Sequence, residues 1–381
     1  MATIPGSQFV ATVPGRAVNV VETTTGTGLP SNAAGAFNLE VFVGPLASAP
    51  TTPAPGYQGL AVLTSSGLEL DLISGAFAVT DNGAGNDTLS AYGSNETVSG
   101  GSADVTLNLF GNNDVANGGG QDTITVQGTN DTVNGAGNDL INVFGSGNLI
   151  NGGSGDDTIN IFNSNDTVAA GSGNQLINAQ GAGGTINAGS GNDTVNLSGS
   201  GFLVTGGTGN TAINISGHGD TVHAGTGNDT INLSGSSFLV TGGTGDSAVN
   251  AAGNGDTIGG GNGNDTIAVI GFGDLIKLGS GNEVALVSGG SDTVLSGSAA
   301  GTNLGQINLA GGNITLVNGA NQYADTVVGF DQAGGDRVDL TTDTVASAAP
   351  VNSGADTLIT LSDNSTILLK GVTHIDSSFF K

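Results

Sequence analysis

The side chains with chemistry to offer are aspartates, and they recur at a fixed interval. From position 139 to 292 a nine-residue step holds without slippage, through Asp139, Asp157, Asp166, Asp193, Asp220, Asp229, Asp256, Asp265, Asp274, Glu283 and Asp292. Upstream it continues with one-residue irregularities at Asp87, Glu96, Asp104, Asn113, Asp122 and Asp131. Glycines precede many of these acids, as in Gly152-Gly-Ser-Gly-Asp-Asp-Thr-Ile-Asn160. Glycine admits positive φ, so such a turn can aim carbonyl oxygens inward beside the carboxylate. A set of oxygens, some charged, suits Ca²⁺, which takes six to eight at about 2.3–2.6 Å. The competing assignment is that these aspartates cap turns by bonding backbone amides, as Asx residues commonly do.

The elements that would position them follow from the period. Two residues after the acidic position an aliphatic recurs: Ile159, Val168, Ile177, Ile186, Val195, Val204, Ile213, Val222, Ile231, Val240, Val249, Ile258, Ile267 and Ile276. A short strand with one or two inward aliphatics and a glycine-rich turn fills nine residues. Two such units make an 18-residue coil, and stacked coils bury a thin aliphatic core. The fold class expected is all-β, a parallel β-solenoid or β-roll of about twelve coils with β-rich caps at both ends. The segmentation expected is 1–81 as an N-terminal cap or attachment region, 82–296 as the solenoid and 297–381 as a C-terminal cap.

The nonapeptide Gly-Gly-x-Gly-x-Asp-x-aliphatic-x is met at every fixed position by 152–160. It is nearly met by Ala188-Gly-Ser-Gly-Asn-Asp-Thr-Val-Asn196, Ala224-Gly-Thr-Gly-Asn-Asp-Thr-Ile-Asn232 and Gly260-Gly-Asn-Gly-Asn-Asp-Thr-Ile-Ala268. It resembles the hemolysin-type, or RTX, calcium-binding repeat of type I-secreted bacterial proteins. The resemblance implies that each ion sits between successive turns on one edge, so a full site needs acids 18 residues apart. On the first edge Asp87, Asp104, Asp122, Asp139 and Asp157 would form a gapless run. Beyond it Asp193, Asp229, Asp265 and Glu283 alternate with Gln175, Thr211 and Ser247. On the second edge Asp220, Asp256, Asp274 and Asp292 are further acids, although their glycines fall differently. The fifth turn position, Asn138, Asp156, Asn174, Asn192, Asn210, Asn228, Asp246, Asn264 and Asn282, would stack one Asx side chain per coil without metal.

Charge narrows the partners. Five Lys and Arg stand against 32 Asp and Glu, a net charge of −27, which excludes the basic footprint of a nucleic-acid binder. Between 82 and 296 the single basic residue is Lys277, so stacked carboxylates call for cations. The chain has no cysteine, hence no disulfide or thiolate metal site, and no apolar run long enough for a membrane-spanning helix. His218, His223 and His374 form no recognised catalytic motif, so no enzyme is expected. Strand alternation turns Thr194, Asn196, Thr230 and Asn232 outward with Asn142, Asn178, Asn214 and Asn250. This Thr/Asn face leaves ice binding as an alternative, and a solenoid polysaccharide lyase or epimerase as another.

At the ends, Phe37–Val43 and Leu60–Thr64 read as strands between Pro/Gly-rich linkers. The start lacks the basic and apolar pattern of a secretory signal peptide. Residues 325–340 resemble the segment that closes many RTX arrays, and 356–372 read as a hairpin turning at Asp363-Asn364. The resemblance implies a C-terminal secretion signal in the final residues and an extracellular or cell-surface location. The partners expected are calcium ions, with self-association or a cell-surface polysaccharide.

Overall fold

A computed structural model describes residues 86–102, 104–297, 305–318 and 323–381, together with the backbone of short strands elsewhere. The chain winds as an all-β parallel solenoid of about 13 turns spaced by roughly 18 residues, close to the number expected. Packing divides it into two units, Met1–Ser190 and Gly191–Lys381. Coils of a solenoid touch only their neighbours, so the repeat limits at 82 and 296 are not limits of packing.

In the first unit each turn supplies one longer and one three-residue strand. The long strands, such as Thr123–Thr129, Leu140–Ser146 and Thr158–Ile161, stack parallel and in register. The short strands, such as Thr132–Asn134, Leu149–Asn151 and Thr167–Ala169, form a second parallel sheet. Leu140 pairs with Thr158, 18 residues on, but Thr106 pairs with Thr123 and Thr123 with Leu140. Those two coils are one residue short, which is the source of the upstream irregularity. Val18–Thr23, Phe37–Val43 and Gly59–Thr64 extend the long-strand sheet in parallel; Gly67–Leu72 then pairs antiparallel with Gly59–Thr64 and parallel with Thr88–Ala91.

In the second unit long strands and three-residue strands again stack as two parallel sheets, from Thr194–Ser200 and Leu203–Thr205 onward. The stacking continues beyond 296, through Leu304–Gly312, Thr315–Val317, Ala324–Val328 and Arg337–Asp339. The expected C-terminal cap therefore contributes further coils before it closes the sheet. Closure is a change of direction: Thr366–Leu369 pairs parallel with Ala324–Val328 but antiparallel with Asp356–Leu361. The hairpin turns at Asp363-Asn364 as expected, with Asn364 left-handed at φ 72°. The outer strand, Val345–Val351, carries Pro350, a residue that suits a sheet edge because it offers no N–H to a further strand. Phe379 is buried and stacks on Phe330 at 5.0 Å.

The core is the aliphatic file. All fourteen aliphatics named from the nine-residue step are at most 2% exposed. β-Branched residues dominate because a pleated, half-buried strand favours them. A second inward file, including Val143, Ile161, Leu197, Ile215 and Leu233, fills the long-strand side. The outward positions alternate with them, and Leu239 is 47% exposed. Ile213→Ala should therefore cost about 2–5 kcal/mol in urea unfolding, whereas Leu239→Ala should stay within about 0.5 kcal/mol. Equal losses would contradict a core confined to the inward file.

Candidate cation-binding ladders

Each coil turns two corners, and at each corner the residue just before a strand points inward. At the corner before the long strands stand Asp122, Asp139, Asp157, Asp229, Asp265 and Glu283, all at most 3% exposed. One carboxylate oxygen has a fixed partner, the backbone amide of the equivalent residue one coil earlier. Asp122 N donates to Asp139 Oδ1, and Asp139 N to Asp157 Oδ1, both at 2.8 Å. In the second unit Thr211 N donates to Asp229 Oδ1 and Ser247 N to Asp265 Oδ1, both at 2.7 Å, and Asp265 N donates to Glu283 Oε2 at 3.2 Å.

The expected gapless run does not form. Val105, 4% exposed, occupies the corner, and its N–H donates to Asp122 Oδ1. The coil from Thr88 to Thr106 has the full 18 residues, so Asp104 stands one residue before the corner; it is exposed and accepts from Gln121 N at 2.8 Å. Asp87 is buried at the equivalent corner.

The second oxygen separates these acids. Asp122 Oδ2 accepts from Gly119 N at 2.7 Å and Asp139 Oδ2 from Ala136 N at 2.9 Å, the Asx cap of a turn. By contrast Asp157 Oδ2, Asp229 Oδ2, Asp265 Oδ2 and Glu283 Oε1 are buried without a hydrogen-bond partner among the described residues. Where a neutral side chain takes this corner, it donates to a turn carbonyl. Gln175 Nε2 donates to Gly155 O at 2.8 Å, Ser247 Oγ to Gly242 O at 3.3 Å and Thr211 Oγ1 to Gly206 O at 3.4 Å. An ionised carboxylate has no proton to donate, so at its corners oxygen faces oxygen. Glycine makes room for this: a Cβ at Gly152 would lie 2.6 Å from Asp157 Oδ2 and 2.3 Å from Ala170 O.

The second edge repeats the device before the short strands. Asp256 N donates to Asp274 Oδ1 at 2.8 Å and Asp274 N to Asp292 Oδ1 at 3.0 Å. In the first unit Glu96 N, Asp114 N and Asp131 N donate in the same way to Asp114, Asp131 and Asn148. Ladder residues Asp114 and Asp131 follow a Gly-x-x-Asp spacing shared by Gly217–Asp220, Gly253–Asp256, Gly271–Asp274 and Gly289–Asp292. A Cβ at Gly271 would fall 1.5 Å from Gly253 O, so only glycine fits that file. The register places Asp114, not Asn113, at the corner; the Gly-x-x-Asp spacing was the signal that locates it. Phe202 and Phe238 take this corner in alternate coils and are buried there instead of an acid.

Burial governs the titration of these groups. It raises Asp131 to about 6, Asp157 to about 7, and, with the Asp265 charge beside it, Glu283 to about 7. Glu96 is raised to about 8 by burial and by Asp114. Asp229, Asp265, Asp256, Asp274 and Asp292 are raised by the same cause, and the amides that bond them hold them back.

The fifth-position ladder forms as expected. Asn228 N donates to Asn210 Oδ1 and Asp246 N to Asn228 Oδ1, at 2.8 and 3.0 Å. On the long-strand face Asn214, Asn232 and Asn250 each donate Nδ2 to the preceding asparagine at 2.9 Å. Thr194 and Thr230 lie on this face with Ala212 paired between them, and Thr230 pairs with Ala248. His218 and His223 are exposed.

The raised values set a pH dependence. Between about 4, where the unfolded carboxylates ionise, and about 7, the folded chain holds protons that the unfolded chain releases. Unfolding therefore sheds protons, and stability falls as pH rises through this window. Thermal melts in chelator should give a higher midpoint at pH 5 than at pH 8; a midpoint that rises with pH would contradict the buried-carboxylate assignment.

Compared with known proteins, the chain matches no family model, no curated protein and no solved structure.

Proposed function

We propose that this chain is an extracellular calcium-binding β-solenoid with a structural or adhesive role at the cell surface. The observation that carries the reading is the pair Asp265 and Glu283 in adjacent coils. Both are buried and each has an unpartnered oxygen, Asp265 Oδ2 and Glu283 Oε1; a Cβ at Gly260 would lie 2.9 Å from Asp265 Oδ2 and 3.4 Å from Glu283 Oε2, the oxygen that Asp265 N bonds. Carboxylate oxygens are the donors that hard cations select.

No three acidic or histidine side chains converge among the described residues. Any ion here is held by one or two carboxylates together with turn carbonyls and water. Bound calcium supplies positive charge that neutralises the carboxylate file. The residues do the rest: the glycines admit the oxygens, and the neighbouring amides hold each carboxylate in place. In this reading the chain completes its fold where calcium is plentiful, after export, which agrees with the RTX-like nonapeptides and closing segment. A structural or adhesive role needs no catalytic centre.

The test is a thermal melt in Ca²⁺ and in chelator at pH 8. A ligand at 100 times its Kd adds about 2.7 kcal/mol, so Ca²⁺ should raise the midpoint by several degrees. Glu283→Gln should remove more of that gain than Asp229→Asn, because Asp229 has Thr211 and Ser247 as its corner neighbours. Asp246→Asn, at an exposed fifth position, should leave the gain intact. Identical midpoints with and without Ca²⁺ would overturn the proposal.

A further inference from the structure

Corners carry the acids, but the long-strand face of the second unit carries none. Along it runs a groove of about 470 Å³, within the range of small-ligand sites. One wall is the asparagine ladder of Asn214, Asn232 and Asn250; the other includes Ser216 and Ser234, with Ile215 and Leu233 beneath. No charged side chain lines it.

The chemistry of the walls selects a ligand. Each asparagine amide has two N–H donors and a carbonyl oxygen with two lone pairs. The ladder bonds at 2.9 Å use one donor and one lone pair of Asn214 and Asn232. A donor and an acceptor position remain on each, side by side, and a hydroxyl group is the partner that accepts and donates at once. The aliphatic floor suits the C–H face of a sugar ring. The Asn/Ser set stands on two adjacent coils about 4.8 Å apart. Asn196 and Asn250 lengthen the asparagine wall by one coil each way, and the far end, at Ala252, Ala268 and Ile270, is apolar, so a linear polymer spans several coils of the groove.

Charge decides among polymers. The protein carries −27, and the groove has no cation to receive a uronate or sulfate. We infer that this groove binds a segment of a neutral, linear polysaccharide. The inference goes beyond the calcium reading and uses none of its residues.

The experiment titrates the full chain, folded in Ca²⁺, with cellohexaose, laminarihexaose and chitohexaose, and with hexagalacturonate as the anionic control, by calorimetry and amide NMR. At least one neutral hexaose should bind and shift the Asn214 and Asn232 side-chain amide resonances. Asn232→Asp, which removes a donor and adds charge, should weaken binding ten-fold or more. Ser234→Arg, at an exposed wall position, should do the same with an unchanged circular dichroism spectrum. Absence of binding by every neutral hexaose, affinity unmoved by both variants, or preference for hexagalacturonate would overturn the inference. Sedimentation showing a dimer that Ser234→Arg abolishes would also overturn it, in favour of a second copy of the chain. A chain stabilised by Ca²⁺ that binds no glycan leaves the calcium reading standing and removes this one alone.

Discussion

The fold rests on a bond between coils: an inward carboxylate accepts the backbone amide of the equivalent residue one coil earlier. At Asp157 and Asp274 that amide belongs to Asp139 and Asp256. A corner is where a parallel strand ends and its amide loses a ladder partner, and a buried amide left unpaired costs about 1–3 kcal/mol. The aspartate supplies the missing acceptor from the neighbouring coil, so each coil completes the next. A thin aliphatic core one or two residues wide is thereby locked in register at both edges.

That solution creates its own difficulty. A carboxylate has two oxygens, and the amide takes one. At Asp122 and Asp139 a turn amide takes the other; at Asp157, Asp229, Asp265 and Glu283 nothing among the described residues does. A buried charge without a partner is costly, and the raised proton affinity of Glu283 expresses that cost. Either a proton or a cation resolves it. Gln175, Thr211 and Ser247 show a third solution, a neutral donor aimed at the turn carbonyl. The alternation of acids with these residues spaces the charges along the edge and limits their repulsion.

Much of this was legible in the residues. The nine-residue step located the inward aliphatics from Ile159 to Ile276, and hence both sheets, because burial repeats with the coil. The hairpin at Asp363-Asn364 was legible from its turn residues. Less legible was the upstream register: the coils shortened by one residue begin only after Thr106 and Val115, so full coils put Val105 where Asp104 was expected and Asp114 where Asn113 was. A fixed count cannot sense which residue of a turn is absorbed into the bend. The continuation of coils past 296 was hidden by longer connections, since Val284 pairs with Gln306. The groove on the long-strand face was not legible at all, because concavity depends on how outward side chains of several coils stand against one another.

The central claim is that the unpartnered corner oxygens hold either a proton or a calcium ion. A pH-stat titration measures this competition directly. Metal-free protein held at pH 6 in unbuffered salt should release protons as Ca²⁺ is added, in proportion to the calcium bound, because ligands must deprotonate to coordinate. Glu283→Gln should lower both quantities together. Calcium bound without proton release, or no calcium bound, would contradict the account.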